Sequence, residues 1–332
     1  MKSILIVQEF KEADREMIEA QLGPFFRIIY PGSYSQSGII EAAKSSDAEI
    51  YLGVYLSDEI LKSSKRLKIF QMVSTGVDRL PLERFAERGI QVCNSQSHSA
   101  YVAEYALSML MALVKKLHVH DRLMRSGVWW RPSGGGDDFL YLSDTIIRKR
   151  VGFIGFGRIG QNMAKMLTGF DCEVSAFNSS QNSIVDGVGA VNYCSKEELI
   201  ENSDIIVISI PLTDSTKSLI TAKDFKLAKV SSLWVHISRG PVVDRDDLYQ
   251  ALVTNEIAGV AIDNWFEPVV ERNGGKYPSS LKFEKLENVL LSPYRAIYIN
   301  NGSPHLDDAL NNLKNYAEGR DLCNCIDLDR GY

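Results

Sequence analysis

Short apolar runs alternate with longer amphipathic stretches along most of the chain. Over residues 1–95 the runs Ile4–Val7, Phe26–Tyr30, Glu49–Val54, Lys68–Val73 and Ile90–Cys93 are the length of strands. Between them Asp14–Leu22, Ile39–Ser45, Asp58–Ser64 and Pro81–Arg88 read as helices, the first ended near Gly23-Pro24. Strict alternation of strand and helix predicts a parallel α/β domain. From Ser99 to about Gly127, Val102, Tyr105, Ala106, Met109 and Leu113 keep a helical period over more residues than a simple βα unit needs, so a long interdomain helix is expected. Residues 132–144, with Gly134, Gly135 and Gly136, lie between no strand and helix and read as a crossing loop. Alternation resumes at Val151, with strands at 151–155, 173–177, about 189–193, 204–210, 232–237, 258–263 and 288–291. Lys196–Asn202 and Arg245–Thr254 are among the helices between them, and Asp307–Gly319 is the last.

The second α/β set opens on VGFIGFGRIG (151–160), where Gly155, Gly157 and Gly160 give G-x-G-x-x-G at a strand-to-helix turn. The first glycine suits the tight turn, the second lets backbone approach a pyrophosphate, and the third lets the helix pack on the strand. The helix N-terminus that follows offers N–H groups to an anion, and Arg158 adds a possible charge-assisted contact. A dinucleotide is the predicted ligand of this turn, with Ile159 in its loop. The first set has no such turn. Its segment Ser74-Thr75-Gly76 lies at a strand C-terminus, where open α/β sheets place ligands.

The remaining bounds are broad. The 332 residues suffice for two domains, and 45% hydrophobic with 24% charged residues is globular. A net charge of −5 without a basic run argues against nucleic acid or an anionic membrane as partner. MKSILIVQEF is too short an apolar run for a signal peptide, and no run is long enough to span a bilayer. Five cysteines with no C-x-x-C read as free thiols of a cytoplasmic protein, and metal-ligand spacing is absent.

Four segments in one order, 66–94, 151–160, 203–220 and 234–268, resemble the D-isomer-specific 2-hydroxyacid dehydrogenase family. The resemblance covers nearly the whole chain and is densest from 151 to 268. It implies two doubly wound parallel-sheet domains: a Rossmann cofactor domain (98–293) inserted in a discontinuous, flavodoxin-like substrate domain (1–97 plus 294–332). It also implies a homodimer formed through the cofactor domain and an NAD(P)-dependent oxidoreductase acting on a small 2-oxo acid. Arg239, in HISRGPVVD, matches the catalytic arginine; its guanidinium suits a carboxylate and a carbonyl where charge develops. Ser74, Thr75 and Gly76 match the carboxylate-binding turn. Asp263, Pro211, Thr213 and Thr216 match cofactor-contacting positions, as do Ile237 and Ser238 before the arginine.

Two departures bear on the chemistry. Glu267 keeps its place before Pro268 but stands one position nearer Asp263 than in the family, and it is the candidate catalytic carboxylate. After the last strand the family has a Pro-His pair, whereas this chain reads Pro293-Tyr294, so Tyr294 becomes the candidate proton donor. A phenol titrates near 10 and an imidazole near 6.5, so tyrosine suits reduction and is a poor base for oxidation. His98 and His305 are the alternative donors; His236 reads as a core residue, and His118 and His120 as structural. At the end of the second strand stand Asn178, Ser179 and Ser180, with neither the acid that bonds an NAD ribose nor an arginine. NADP is therefore favoured modestly over NAD. Two competing readings are a nucleotide-binding scaffold or sensor that has lost catalysis, and hydride transfer needing no proton relay, as in formate oxidation.

Overall fold

The structure is a computed structural model that describes residues 1–332 except 130–141, 180–183, 267–268, 273 and 301–302. The glycines expected to form a crossing loop, Gly134 to Gly136, lie outside the described residues. The chain divides into two compact units, Met1–His98 with Ile299–Tyr332, and Ser99–Tyr298.

The first unit runs β1 (Lys2–Ile6), α1 (Glu12–Leu22), β2 (Phe26–Ile29), α2 (Gln36–Ser45), β3 (Ile50–Gly53), α3 (Asp58–Ser63), β4 (Ile69–Met72), α4 (Leu82–Glu87) and β5 (Gln91–Cys93). Its strands form one parallel sheet in the order β2-β1-β3-β4-β5. This is the flavodoxin-like order. Because side chains alternate along a strand, each apolar run feeds two cores. Ile4, Ile6, Ile50 and Leu52 pack on one face, and Leu5, Tyr51 and Phe70 on the other. The ends of α2 and α3 are set by Ser35 and Ser57, whose hydroxyls accept from Gly38 N and Ile60 N.

The second unit continues with α5 (Ser99–Val114), α6 (Leu117–Arg125), β6 (Arg150–Ile154), α7 (Arg158–Leu167), β7 (Glu173–Phe177), β8 (Ile184–Val185), β9 (Gly189–Ala190), β10 (Asn192–Tyr193), α8 (Lys196–Asn202), β11 (Ile205–Ile208), α9 (Ala222–Leu227), β12 (Leu233–His236), α10 (Arg245–Val253), β13 (Gly259–Ile262), β14 (Val270–Arg272), β15 (Gly275–Tyr277) and β16 (Val289–Leu291). The parallel sheet reads β10-β7-β6-β11-β12-β13-β16, the doubly wound Rossmann order with one added strand. The chain then returns to the first unit, where α11 (Pro304–Ala317) buries Leu306, Ala309, Leu310 and Leu313 against Ile4, Ile6 and Ile18.

Three local expectations need correction. The long helix after Ser99 is two helices, broken where Lys116 takes a left-handed φ of 50°. The buried stripe of α5 ends at Val114, and in α6 only Val119 is buried, so packing does not hold one continuous helix straight. The strand expected over 189–193 splits, since Gly187 and Gly189 adopt φ of 72° and 90° and turn β9 back onto β8; only β10 joins the large sheet. The hairpin β14–β15 was not expected, because its residues lack an apolar alternation.

No helix among the described residues is long and apolar enough to cross a membrane.

Candidate active site

In the second unit the glycine turn follows from steric need. Gly155 has φ of 84°, and a Cβ there would lie 2.8 Å from Ser209 O and 2.9 Å from Ile210 Cα. A side chain is therefore excluded both by conformation and by space. At Gly160 a Cβ would meet Gly155 O at 3.1 Å and the Phe156 ring at 3.2 Å, which lets α7 lie close on β6. Gly157 is different. It caps α7 in extended conformation, and a Cβ there would meet no described atom within 4 Å. Open space therefore stands at the N-terminus of a ten-residue helix, where N–H groups and the dipole attract an anion. These residues fit the pyrophosphate of a dinucleotide. Arg158 is exposed at the first helical position.

Hydrogen bonds tie the neighbouring strand ends to this turn. Phe156 N donates to Asn178 Oδ1 at 3.2 Å, and Gly155 N to Phe177 O at 2.9 Å. With its oxygen engaged, what the Asn178 side chain presents further is N–H donation. Ser179 beside it is exposed, and Ser180 lies outside the described residues. Ser209 Oγ donates to Gly155 O at 2.8 Å, and Ser238 Oγ donates to Ile210 O, so the ends of β6, β11 and β12 are joined in series. Within the loop after β11, Thr216 Oγ1 donates to Pro211 O at 2.6 Å and accepts from Thr213 N at 2.8 Å. Thr216 thus closes its own turn.

Arg239 follows β12, half-buried with extended backbone, and its Nη1 donates to Ser238 O at 3.3 Å. The next residue must be glycine: a Cβ at Gly240 would lie 2.1 Å from Trp265 O. The chain leaving β13 therefore runs against the Arg239-Gly240 turn, and Asn264 Nδ2 secures it by donating to Ile237 O at 3.0 Å. His236 lies beneath this turn with no exposure, its ring 6.1 Å from that of Phe266. Neither ring nitrogen has a hydrogen-bond partner among the described residues. Burial pushes its pKa down to about 4, and the nearby Gly240 and Arg239 backbone offsets this only in part. His236 is accordingly a neutral core residue at pH 7.

Asp263 follows β13 and is 1% exposed. Its Oδ1 accepts from Ser292 Oγ and, at 2.7 Å, from Arg295 N, while Oδ2 accepts from Ala296 N at 3.1 Å. Its backbone oxygen accepts from Tyr294 N at 3.0 Å. Because Ser292 gives its proton to Asp263, Tyr105 Oη donates to Ser292 Oγ at 2.9 Å. Trp265 Nε1 donates to Ser292 O at 2.8 Å. The carboxylate binds successive N–H groups because Tyr294 adopts a left-handed φ of 56°, an anion-binding turn turned on an internal anion. The Tyr294 side chain is 41% exposed, its ring edge-on to Tyr298. Glu267, the candidate carboxylate, lies outside the described residues. Ser209, Ser292 and Tyr105 escaped the sequence reading: lone hydroxyls give no pattern, and their partners are remote in sequence.

In the first unit the turn after β4 is equally well fixed. Thr75 Oγ1 donates to Ser95 O at 2.8 Å, so its 3.0 Å contact with His98 Nε2 is one in which the imidazole donates. Asn94 Nδ2 donates to Thr75 O at 2.9 Å and Ser95 N to Ser74 O at 3.1 Å. Ser74 Oγ is buried with no partner among the described residues. Ser74, Thr75, Gly76 and the buried His98 thus form one cluster, and the Nε2 proton of His98 is committed to Thr75. His305 sits half-buried in α11, where burial lowers its pKa.

The family model "D-isomer specific 2-hydroxyacid dehydrogenase, NAD binding domain" matches residues 107–296. A glyoxylate reductase of Thermococcus litoralis is 29% identical over 296 residues, which are 88% of this chain and 86% of that protein. An acyclic imino acid reductase solved with NADPH and D-Arg superposes with a TM-score of 0.78 at 24% identity, covering 98% of this chain and 100% of that chain. An NADPH-dependent glyoxylate/hydroxypyruvate reductase from Sinorhizobium meliloti, solved with citrate, gives a TM-score of 0.78 at 20% identity, covering 99% and 98%.

Proposed function

The chain belongs to the D-isomer specific 2-hydroxyacid dehydrogenase family, and from that premise we propose that it reduces a small 2-oxo acid, glyoxylate first, with NADPH preferred modestly over NADH. It is an NAD(P)-dependent oxidoreductase; neither a non-catalytic scaffold nor a formate-type reaction is favoured over this. The observation that carries the reading is the placement of Arg239: its turn follows β12 and is stitched through Ser238, Ile210 and Ser209 to the glycine turn.

When bound, a nicotinamide cofactor supplies the hydride. Gly155, Gly157 and Gly160, with the first N–H groups of α7, hold the pyrophosphate. Arg239 grips the substrate carboxylate and stabilises the charge that builds on the carbonyl oxygen as its π pair moves there. Tyr294 gives that oxygen its proton, and solvent restores the phenol, which is 41% exposed. Asp263 holds the Tyr294 turn through Ser292, Arg295 N and Ala296 N. Ser74, Thr75 and Gly76 are the proposed substrate-binding turn, with Thr75 fixed by Ser95 and His98. Asn178 supports the NADPH preference, because an amide does not repel a 2′-phosphate. A homodimer is supported by apolar side chains left exposed on and after α6, Leu117 at 55%, Met124 at 51% and Trp129 at 78%.

Tyr294 also favours a second reading, reduction of a 2-imino acid. A protonated imine accepts hydride at carbon with its own nitrogen taking the electron pair, and so needs no proton donor. One experiment separates these readings: a panel of 2-oxo acids with each cofactor, with and without a saturating amine, beside a direct NADPH titration. Turnover without amine supports the oxo acid, and turnover only with amine the imine. Tight NADPH binding with no turnover on any substrate contradicts both.

A further inference from the structure

One cluster of reactive side chains has no part in the chemistry above. Cys93, the last residue of β5, faces Cys325 of the C-terminal tail across an isolated antiparallel bridge. Asn94 N donates to Asn324 O at 3.0 Å and Ile326 N to Val92 O at 2.8 Å. These bonds flank the pair, which therefore occupies a non-hydrogen-bonded position, where Cα atoms stand about 4.5 Å apart and side chains are closest. That separation lies within the range a disulfide spans, about 4.4–6.8 Å. The two sulfurs are 3.3 Å apart.

The tail is held in this place. Asn312 of α11 accepts from Cys323 N at 2.6 Å and donates to Cys323 O at 2.9 Å, and Asn324 Nδ2 donates to Asp308 Oδ2 at 3.2 Å. Cys93 is fully buried while Cys325 is exposed, and Gln91 Nε2 donates to the Cys325 sulfur at 3.3 Å.

We propose that Cys325 and Cys93 form an oxidative modification site, in which a peroxide oxidises the exposed Cys325 and the buried Cys93 resolves it as a disulfide. In the first step the Cys325 sulfur attacks one peroxide oxygen, the O–O bond breaks, and Cys325 sulfenic acid and water result. In the second, the Cys93 sulfur attacks the Cys325 sulfur, the S–S bond forms as the S–O bond breaks, and the departing hydroxide leaves as water with the Cys93 proton. The peroxide is the oxidant in this sequence, and a dithiol reverses it by exchange. Burial pushes the Cys93 thiol up, so closure quickens as pH rises. The bond joins the tail to β5, one residue before Asn94, whose side chain holds Thr75 O.

The test uses reduced full-length protein treated with hydrogen peroxide, then intact mass and non-reducing peptide mapping. The expected result is loss of two hydrogens, a peptide pair joined through Cys93 and Cys325, full reversal by dithiothreitol, and a higher melting temperature for the oxidised form. Cys323→Ser should retain the cross-link. Cys325→Ser, an exposed position, should fold normally and lose both the cross-link and the peroxide-dependent rise in melting temperature. Oxygen adducts on Cys325 without a cross-link, or a disulfide mapped to Cys323 and Cys325, would overturn the proposal.

Discussion

Replacing Asp263 by asparagine tests the most densely hydrogen-bonded part of the site. The carboxylate is 1% exposed and accepts three bonds, from Ser292 Oγ, Arg295 N and Ala296 N. Hydrogen bonds to a charged acceptor contribute about 1.5–3 kcal/mol each. The left-handed Tyr294 costs about 1–2 kcal/mol, so the two backbone bonds outweigh the strain they require. Asparagine keeps the shape but has one acceptor oxygen. If that oxygen serves Ser292 and Arg295 N, the amide nitrogen confronts Ala296 N with donor against donor. One charged bond is lost, at about 1.5–3 kcal/mol, and an N–H left unmatched in a buried place adds about 1–3, for a total of about 2.5–6 kcal/mol. Ser292→Ala removes a hydroxyl that donates to Asp263 and accepts from Tyr105 Oη, and should cost less, about 1–3 kcal/mol. Urea unfolding of both variants, with midpoints compared at constant slope, measures this. The loop reading fails if Asp263→Asn unfolds within about 0.5 kcal/mol of wild type, the range of an ordinary surface change.

Other predictions follow from single groups. In Asn178→Asp a carboxylate oxygen still accepts from Phe156 N, while the amide N–H donors give way to a second, charged acceptor. The ratio of NADPH to NADH dissociation constants should move toward NADH by about tenfold or more, equivalent to about 1.4 kcal/mol, and an unchanged ratio contradicts the assignment. Tyr294→Phe should lower reduction of a 2-oxo acid about 100-fold while NADPH affinity holds, and the wild-type reduction rate should show no inflection near the imidazole range around pH 6.5. Full activity in the variant would make the phenol a mere neighbour. His236 is held neutral, its pKa lowered to about 4, so the unfolded chain takes up a proton that the folded one refuses. Stability should fall as pH drops from about 6.5 to about 4, by about 3 kcal/mol in all, relative to His236→Asn. A pH-independent difference between the two proteins would refute it.

Much of the fold is legible in the chain because most strands of the two parallel sheets are continuous apolar runs and the helices between them amphipathic stretches. The runs at Ile4, Ile50 and Ile69 locate their strands, and the glycine spacing after Ile154 locates the phosphate turn, because conformation and excluded volume demand glycine at 155 and leave little room for a side chain at 160. What stays hidden depends on partners far apart in sequence. Lys116 interrupts a helix whose buried stripe simply runs out, which periodicity reports only as weakening. The bonds from Ser209 to Gly155 and from Ser238 to Ile210 span residues that nothing local pairs. Asp263 reads as a strand-end acid available to a ligand, yet it faces inward to Ser292 and the Arg295 and Ala296 amides, since a left-handed Tyr294 is invisible until the backbone is traced.

The assignment of Arg239 as the carboxylate and carbonyl group is best tested by kcat/KM for glyoxylate with NADPH, measured for wild type and Arg239→Gln at equal cofactor saturation. Wild type should turn over, and the variant should lose about 1000-fold or more, since glutamine keeps one neutral donor and loses the charged fork that meets the developing oxyanion. NADPH affinity should be retained. A variant within tenfold of wild type, or a wild type that binds NADPH and reduces no 2-oxo acid, would contradict the account.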